Sequence, residues 1–268
     1  MAASSVRVGV AVPAADRDEG WIGGAWHAVD RLTATGLDVE AAVGNMPREW
    51  LGSTAPDVVV LHGIQYYGGA LELLGATESA VRSVILSDVP LEYTDGTSEP
   101  PPGLTLVDWR WWVGAEHAGR AAAAETAGPI GFVAGPAVPT QRRTAAAFVR
   151  GVSDVDERRS VVLVHLPDFR DVDRGAATGE NLVRHFGCGL VAHSADEAGA
   201  AATAAARALG ATTYGFLTPV GDDAASIRSA IAPVLENLVR TAVAGTKLPG
   251  LHTCTWEAGE IRLERAPS

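Results

Sequence analysis

Lysine is almost missing from this chain of 268 residues, since Lys247 is the only one. Chemistry that depends on a lysine amine, such as a Schiff base or the phosphate grip of a P-loop, is therefore disfavoured. Cysteine is nearly as scarce: Cys188 and Cys254 lie far apart, and neither has the CxxC partner typical of a zinc or redox site. We predict two buried free thiols, no metal site and no cofactor.

The sequence signatures of common enzyme classes are missing as well. The chain has no GxSxG, no HExxH and no GxGxxG after its first predicted strand. An enzyme is still an open alternative, because acidic and imidazole side chains in the second half of the chain could gather at one sheet edge. These side chains are His165, Asp168, Asp171, Asp173 and His193. No catalytic residue is assigned among them.

Basic residues are outnumbered by acidic ones, 21 to 32, which gives a net charge of -11. An acidic protein is repelled by nucleic acid and by anionic membrane surfaces, so neither is expected as a partner. No apolar run is long enough to insert into a membrane. The first predicted strand begins near Val6 and leaves no room for a signal peptide. We therefore expect a cytoplasmic chain, or a secreted or lipid-anchored one if a leader has been removed.

Apolar strands and amphipathic helices alternate along the chain in two successive sets. This alternation predicts an α/β fold with two lobes, each built on a parallel sheet. Near the C-terminus, the periodicity predicts that Asp222–Ala244 is helical for most of its length, with Pro233 marking a start or a kink. A terminal hairpin is predicted from Thr253–Trp256 and Glu260–Leu263.

A strand, a turn and a helix lie at the centre of the chain. Ile130–Ala134 is a short apolar run bounded by glycines, and apolar residues at helical spacing follow Pro139. The turn between them, Gly135–Pro139, aims backbone N–H groups and a helix N-terminus at the space above the strand. Because open α/β sheets bind ligands at the carboxyl ends of their strands, this turn is predicted to lie at a binding edge.

The residues around this turn resemble a known family. Gly128–Val152 is similar to the central signature of the basic membrane protein family, also called the purine nucleoside receptor family. The matching positions are Gly131, Phe132, Gly135, Pro139, Arg142, Arg143, Phe148 and Gly151. Asp18–Trp26, Val113–Gly119 and Gly245–Gly250 resemble further family segments in the same order, so the likeness extends over most of the chain.

The resemblance implies a type I periplasmic-binding-protein fold, in which two Rossmann-like lobes are joined by crossover strands. The expected N-terminal lobe is 1–110 plus about 220–250, the expected C-terminal lobe is 111–219 plus about 251–268, and the ligand cleft lies between them. Family members usually bind a purine nucleoside, stacked between aromatic rings and held by carboxylates and amides. We therefore expect a protein that closes two lobes over a nucleoside-like or other aromatic metabolite.

Aromatic residues supply the first candidate ligand contacts. By the resemblance, Trp21 and Phe169 take the places of the two family side chains that stack on the ligand. Such stacking is worth about 0.5–1.5 kcal/mol per pair beyond burial. Trp109 could line the cleft with Trp111, which would share its face if this segment were extended. Packing in the core or hinge is the alternative interpretation for each of these rings.

Polar and small residues at predicted strand ends complete the candidate site. They are Asp18, Gly63, Gln65, Asp88, His193 and Ser194. The two aspartates could accept hydrogen bonds from a ligand, or could cap turns without one. The glycine allows close approach of the backbone, and the glutamine could bind a polar edge of the ligand. The histidine and serine form the equivalent loop of the second lobe, although a lone histidine there is more often structural.

Three positions depart from the family pattern. Ile22 replaces an amide, Leu217 replaces the carboxylate that would hold ribose hydroxyls, and the family lysine falls at Ser229, or at Arg228 if the register slips. A buried pocket without groups that bind hydroxyls selects against sugars. We therefore expect a ligand that is flatter or more apolar than a nucleoside.

The leading functional prediction is a small-molecule binding protein with a transporter or regulator as protein partner. One alternative is an enzyme, recruited from the binding-protein fold, that acts on a small aromatic or apolar metabolite. A second is a cytoplasmic ligand sensor that acts through a protein partner, because some members of the family lack a leader and act in gene regulation.

Overall fold

The computed structural model describes residues 6–15, 17, 20–51, 56–76, 81–90, 93, 98–217 and 222–266. The chain divides into two compact units: unit 1 comprises residues 1–109 and 230–254, and unit 2 comprises residues 110–229 and 255–268. The chain therefore passes from one unit to the other three times. Within the described ranges, no helix is long and apolar enough to cross a bilayer.

Strands and helices alternate along most of the described chain, and two short 3-10 helices, Arg48–Leu51 and Ile64–Tyr66, flank β3. In chain order, the strands and α-helices are β1 (Arg7–Val12), α1 (Trp21–Ala34), β2 (Asp38–Val43), β3 (Val58–Leu61), α2 (Tyr67–Gly75), β4 (Ser83–Leu86), β5 (Leu104–Asp108), α3 (Trp111–Glu125), β6 (Ile130–Ala134), α4 (Pro139–Val155), β7 (Val161–His165), α5 (Val172–Arg184), β8 (Leu190–Ser194), α6 (Asp196–Ala208), β9 (Thr212–Phe216), β10 (Ala225–Ser229), α7 (Ile231–Val243), β11 (Leu251–Thr253) and β12 (Ile261–Arg265).

Unit 1 is built on a six-stranded sheet in the order β11-β5-β4-β3-β1-β2. Each pair of neighbours in this sheet is parallel. Every residue of the central strand β3 is buried, as expected for a parallel strand that is covered on both faces. All the strands of this sheet therefore end at one edge, which gathers the loops that follow them.

Unit 2 has a second six-stranded sheet in the order β12-β10-β9-β8-β6-β7, parallel except for the antiparallel edge strand β12. Helices α3 and α4 pack in direct backbone contact through glycine. A Cβ atom on Gly119 would lie 2.2 Å from the carbonyl O of Phe148, and one on Gly151 would lie 2.0 Å from that of Glu116. This close approach fixes α4, which carries part of the candidate site.

The predicted α/β class, with two lobes on mostly parallel sheets, is confirmed. The stretch Asp222–Ala244 is helical over most of its length, as predicted, but helix α7 begins only at Ile231. The residues before it include strand β10, which pairs with β9 and β12 and was not predicted. Pro233 lies in the first turn of α7, so it marks a start rather than a kink. Because β10 belongs to the sheet of unit 2, the chain returns to unit 1 at Ala230, later than the predicted return near 220.

The predicted C-terminal hairpin is wrong. Strand β11 pairs with β5 in parallel, and β12 pairs with β10. The two strands thus belong to different sheets, although a turn of only a few residues, Trp256–Gly259, lies between them in the sequence. Each strand finds a partner far away in the sequence, which the local turn signal at Ala258 and Gly259 does not reveal.

Candidate functional site

Each sheet has a switch point, where the strand order reverses. In unit 1, β1 lies between β2 and β3, and in unit 2, β6 lies between β7 and β8. Loops that leave the carboxyl ends of strands at such a point run in opposite directions, and open α/β sheets bind ligands there. We define the first edge, in unit 1, as Trp21, His62, Gly63, Ser87, Asp88 and Trp109. We define the second edge, in unit 2, as Gly135, Gln141, His165, Phe169 and Ser194.

Trp21, at the start of α1, is held by His62, which follows β3. The two ring centroids are 3.7 Å apart with a tilt of 31°, and the backbone O of Trp21 lies 2.9 Å from His62 Nε2. A carbonyl only accepts, so Nε2 carries the hydrogen, and Nδ1 accepts from the Ser87 hydroxyl at 2.9 Å. Burial favours this neutral imidazole and lowers the pKa of His62 to about 3. His62 and Ser87 therefore orient Trp21, and both are fully buried.

Trp109, directly after β5, lies edge-on to Trp21 with centroids 5.8 Å apart and planes at 86°. Its side chain is 3% exposed, and among the described residues no acceptor lies within hydrogen-bond distance of its indole N–H. A buried indole N–H usually has a partner, so this donor is suited to an acceptor on a ligand. The prediction that Trp111 shares its face is wrong, because Arg110 is left-handed with φ 48° and Trp111 begins α3 in unit 2.

Asp88, which follows β4, is a partly buried carboxyl group at the first edge. Its Oδ1 accepts a hydrogen bond from the N–H of Val89 at 2.8 Å, and the group also accepts from the N–H of Ile64. Burial is the main cause that raises the pKa of Asp88 to about 6, and the negative charge of Asp108 acts in the same direction. A carboxyl group that changes its charge near neutral pH at a strand end is typical of functional sites.

Gly63 adopts φ 126°, a conformation that side chains strongly disfavour. A Cβ atom at this position would lie 2.5 Å from Oε1 of Gln65. The exposed Gln65 side chain thus folds back over Gly63 and places its amide beside the first edge. Asp18 lies outside the described residues.

Gln141, on the first turn of α4, organises the second edge. Its Oε1 accepts from the N–H of Gly135 at 3.1 Å and from the hydroxyl of Ser194 at 2.7 Å. The side chain is 5% exposed, so one buried amide ties the end of β6 to the end of β8 across the switch point. His165, at the end of β7, donates from Nδ1 to the carbonyl O of Gly135 at 2.9 Å. The N–H and the carbonyl O of Gly135 are therefore both hydrogen-bonded to side chains, which fixes the backbone at this position.

Phe169 covers the same glycine from the loop after β7. A Cβ atom on Gly135 would lie 2.1 Å from Cε1 of the Phe169 ring. The ring can therefore lie against the end of β6 only because residue 135 has no side chain. Phe169 is half-buried, and its carbonyl accepts from the N–H of Ala198 at 2.8 Å, which anchors the loop to α6. The structure thus brings Phe169 and Ser194 together around Gly135.

His193 lies on the other face of β8. Its ring is buried against α6, where a Cβ atom on Gly199 would lie 2.1 Å from Nδ1, and burial lowers the pKa of His193 to about 4. Since successive side chains of a strand point to opposite faces, Ser194 and His193 cannot share one pocket wall. The ligand contact predicted for His193 stays a prediction.

Two of the three acidic side chains considered for catalysis accept hydrogen bonds in local turns. Asp171 caps α5 by accepting from the N–H of Arg174 at 3.0 Å, and Asp168 accepts from the N–H of Arg170 at 2.7 Å. His165 bonds to Gly135, as described above. His62 and Ser87 contain the atoms of a Ser-His pair, but the second imidazole nitrogen is bound to a carbonyl and the hydroxyl is buried. Their geometry therefore serves to position Trp21.

Leu217 occupies the position where the resemblance implies a carboxylate. It is 4% exposed and left-handed, with φ 60°. Its N–H donates to the carbonyl of Ile227 at 2.7 Å, and its carbonyl accepts from Arg228 at 2.8 Å. The backbone turn is therefore held by hydrogen bonds, while the side chain supplies no polar atom to a ligand.

A surface cavity of about 330 Å³ lies at the opposite edge of the unit 1 sheet, where strands β3 to β5 begin. Arg82, Leu104 and Lys247 are among its lining residues. Ligands of parallel sheets bind at the carboxyl rather than the amino ends of strands, so we assign the candidate site to the first and second edges.

Sequence comparison supports the family resemblance. Residues 110–239 match the family model Bmp, described as ABC transporter substrate-binding protein PnrA-like. This part of the chain is similar to the Bmp family. The resemblance drawn from the sequence is thereby confirmed. The Bmp match includes the whole second edge and the strand β10 that sequence reasoning missed.

Solved structures with the same fold include two solute-binding proteins and one transcriptional activator. A solute-binding protein of an ABC transporter system from Aeropyrum pernix K1 is 18% identical, with TM-score 0.79 over 97% of this chain and 76% of that one. A transcriptional activator of the comK gene from Bacillus halodurans is 15% identical, with TM-score 0.75 over 98% and 91%. A periplasmic solute-binding protein of an ABC transporter from Actinobacillus succinogenes 130z, with bound D-allose, is 11% identical, with TM-score 0.72 over 97% and 97%. No curated protein matches this chain.

Two central residues of the site were not singled out from the sequence. Gln141 precedes Ala145 and Phe148 at helical spacing, so a polar residue on the core face of α4 was the available signal. Ser87 directly follows β4, but its bond to His62 joins the ends of two neighbouring strands, and no local pattern predicts it.

Proposed function

We propose that this protein binds a small aromatic molecule, with Trp21 as its stacking surface. The observation that carries the proposal is the way His62 fixes Trp21: the imidazole stacks on the indole and bonds to its backbone carbonyl. Because both the ring and the backbone of Trp21 are held by His62, the indole loses little conformational freedom when a ligand stacks on it, and binding costs less entropy. Asp88 and the indole N–H of Trp109 would then supply an acceptor and a donor for polar atoms of the ring.

The second edge supports the same function from unit 2. Phe169 offers a half-buried aromatic ring beside Ser194, whose hydroxyl oxygen keeps acceptor capacity after it donates to Gln141. Leu217 removes the carboxylate that would hold ribose hydroxyls, which favours a flat heteroaromatic compound over its nucleoside. Closure of the two units over the ligand is part of this proposal and predicts a smaller radius of gyration in solution scattering when ligand is added.

The proposal is tested by thermal unfolding with adenine, adenosine, guanosine, inosine and a set of aromatic metabolites. A ligand at one hundred times its dissociation constant adds about 2.7 kcal/mol to the free energy of unfolding. We expect the largest shift from a flat aromatic compound, and a smaller shift from the nucleoside that contains the same ring. Stabilisation by D-allose or another non-aromatic sugar, with none by aromatic compounds, would contradict the proposal.

A ligand-sensing regulator is the second candidate, favoured by the likeness to the comK activator. A regulator would act in the cytoplasm through a protein partner, whereas a transport protein would deliver its ligand to a membrane permease. Fractionation of the producing cells separates the two: recovery from the cytoplasm favours the sensor, and recovery from the cell envelope favours transport.

A further inference from the structure

Edge strands expose unpaired backbone groups, and proteins normally protect them with charges, prolines or short length. Three of the four sheet edges in the described part of this chain are protected in this way. Strand β2 carries Asp38 and Glu40, β11 has three residues, and β12 carries arginine and glutamate. The fourth edge strand, β7, has the sequence Val-Val-Leu-Val-His without a carboxylate, lysine, arginine or proline.

The outer edge of β7 is open along its whole length. The carbonyl of Ser160 accepts from β6 at 3.0 Å, and the N–H of Leu166 donates to β6 at 2.8 Å. Because inward and outward backbone groups alternate along a strand, the outward groups belong to Val161, Leu163 and His165. No strand within the described residues pairs with this edge. The Leu163 side chain, at its centre, is 41% exposed.

We propose that β7 pairs antiparallel with β7 of a second copy of this chain, about a two-fold axis through Leu163. The outward groups of Leu163 would exchange both hydrogen bonds with the same residue of the partner copy, and the pairing would be self-complementary, as a two-fold interface requires. Two six-stranded sheets would join into one, with their apolar edges buried.

The charges that flank β7 complement each other in this register. Arg158 lies five residues before Leu163 and Asp168 lies five residues after it, in the segments that flank β7. The two-fold axis would therefore bring each arginine to the same end of the pairing as the aspartate of the other copy. Both side chains are exposed. Two copies with a net charge of -11 each repel one another, and an uncharged strand flanked by opposite charges reduces this repulsion at the contact.

The test is the molar mass of the purified full chain by light scattering and sedimentation, over a wide range of concentration. We expect a dimer that Leu163→Lys converts into a monomer, because two lysines would face each other at the axis. Leu71→Lys is the matched control, since Leu71 is 38% exposed on α2, and it should leave the dimer intact. A wild-type chain that stays monomeric, or a dimer that survives Leu163→Lys, would overturn the proposal.

A charge exchange tests the register itself. Arg158→Asp places like charges together at both ends of the pairing and should weaken the dimer about tenfold, while addition of Asp168→Arg should restore it. Equal weakening by the single and double variants would refute the register.

A cysteine at the axis gives an independent readout. Hydrogen-bonded antiparallel pairs place Cα atoms about 5.5 Å apart, within disulfide range. Leu163→Cys should therefore link two chains on oxidation, while Leu71→Cys should not, and Cys188 and Cys254 are buried. A dimer in which Leu163→Cys does not link would mean that another surface forms the interface.

Discussion

Asp88→Asn should change how stability depends on pH, because the carboxyl group at this position binds its proton more tightly in the folded state. Its pKa is about 6, against an ordinary value of 3.8. A group whose pKa is raised on folding contributes stability that is fully present below the unfolded pKa and is lost as pH rises through the folded pKa. Each pKa unit corresponds to about 1.36 kcal/mol, so the whole shift is worth about 3 kcal/mol, of which wild type should lose about 2 kcal/mol between pH 4 and pH 7.

Asparagine keeps an oxygen for the N–H groups of Val89 and Ile64 and cannot ionise. The free energy of unfolding of Asp88→Asn, relative to wild type, should therefore rise by about 2 kcal/mol from pH 4 to pH 7, whatever its constant offset. Urea unfolding at several pH values measures this difference. Asp38→Asn, at an exposed position of β2, serves as the control and should stay within about 0.5 kcal/mol of wild type throughout. A constant difference between Asp88→Asn and wild type, or one that falls with pH, would refute the reasoning.

Three further substitutions test the geometry of the two edges by urea unfolding. Gly135→Ala should cost about 1–3 kcal/mol because its Cβ collides with Phe169, and Phe169→Ala in the same chain should recover part of that cost; independent, additive losses would contradict the contact. Gln141→Leu leaves the buried N–H of Gly135 without its acceptor and should cost about 1–3 kcal/mol; a neutral result would mean that the bond does not form. His62→Phe removes an imidazole whose pKa is lowered in the folded state. The stability that this group contributes is present above pH 6.5 and is lost as pH falls toward 3, so the variant should lose less stability on acidification than wild type. Equal acid sensitivity of the two proteins would show that His62 is not buried and neutral.

Much of the fold could be predicted from local pattern. The strand Ile130–Ala134 has its predicted bounds, because a short apolar run between turn residues has few other solutions in an α/β chain. Strand β10 could not be predicted in this way. Ile227 lies four residues before Ile231, so the apolar spacing of α7 continues back into the strand, and only pairing with β9 and β12 decides the conformation.

In the candidate site, too, local sequence predicted the positions of some residues but not the contacts between remote segments. Trp21, Gly63 and Asp88 lie at strand ends, where the rule for open sheets places ligand contacts. What holds them could not be predicted, because the bonds from His62 to Trp21 and Ser87 join three segments that are remote in sequence. His193 illustrates the opposite case: it lies next to Ser194 in sequence, but strand alternation turns its ring toward α6.

The central claim is that Trp21 is the stacking surface for an aromatic ligand. The most direct measurement is mass spectrometry of small molecules released from wild type, Trp21→Ala and Trp256→Ala, purified in parallel. Trp256 is a matched control, since it is also half-buried and stacked on a histidine, with its centroid 3.8 Å from that of His117. We predict that an aromatic compound is released from wild type and from Trp256→Ala but is lost from Trp21→Ala. Retention of the same compound by Trp21→Ala, or release of only non-aromatic compounds from all three, would contradict the account.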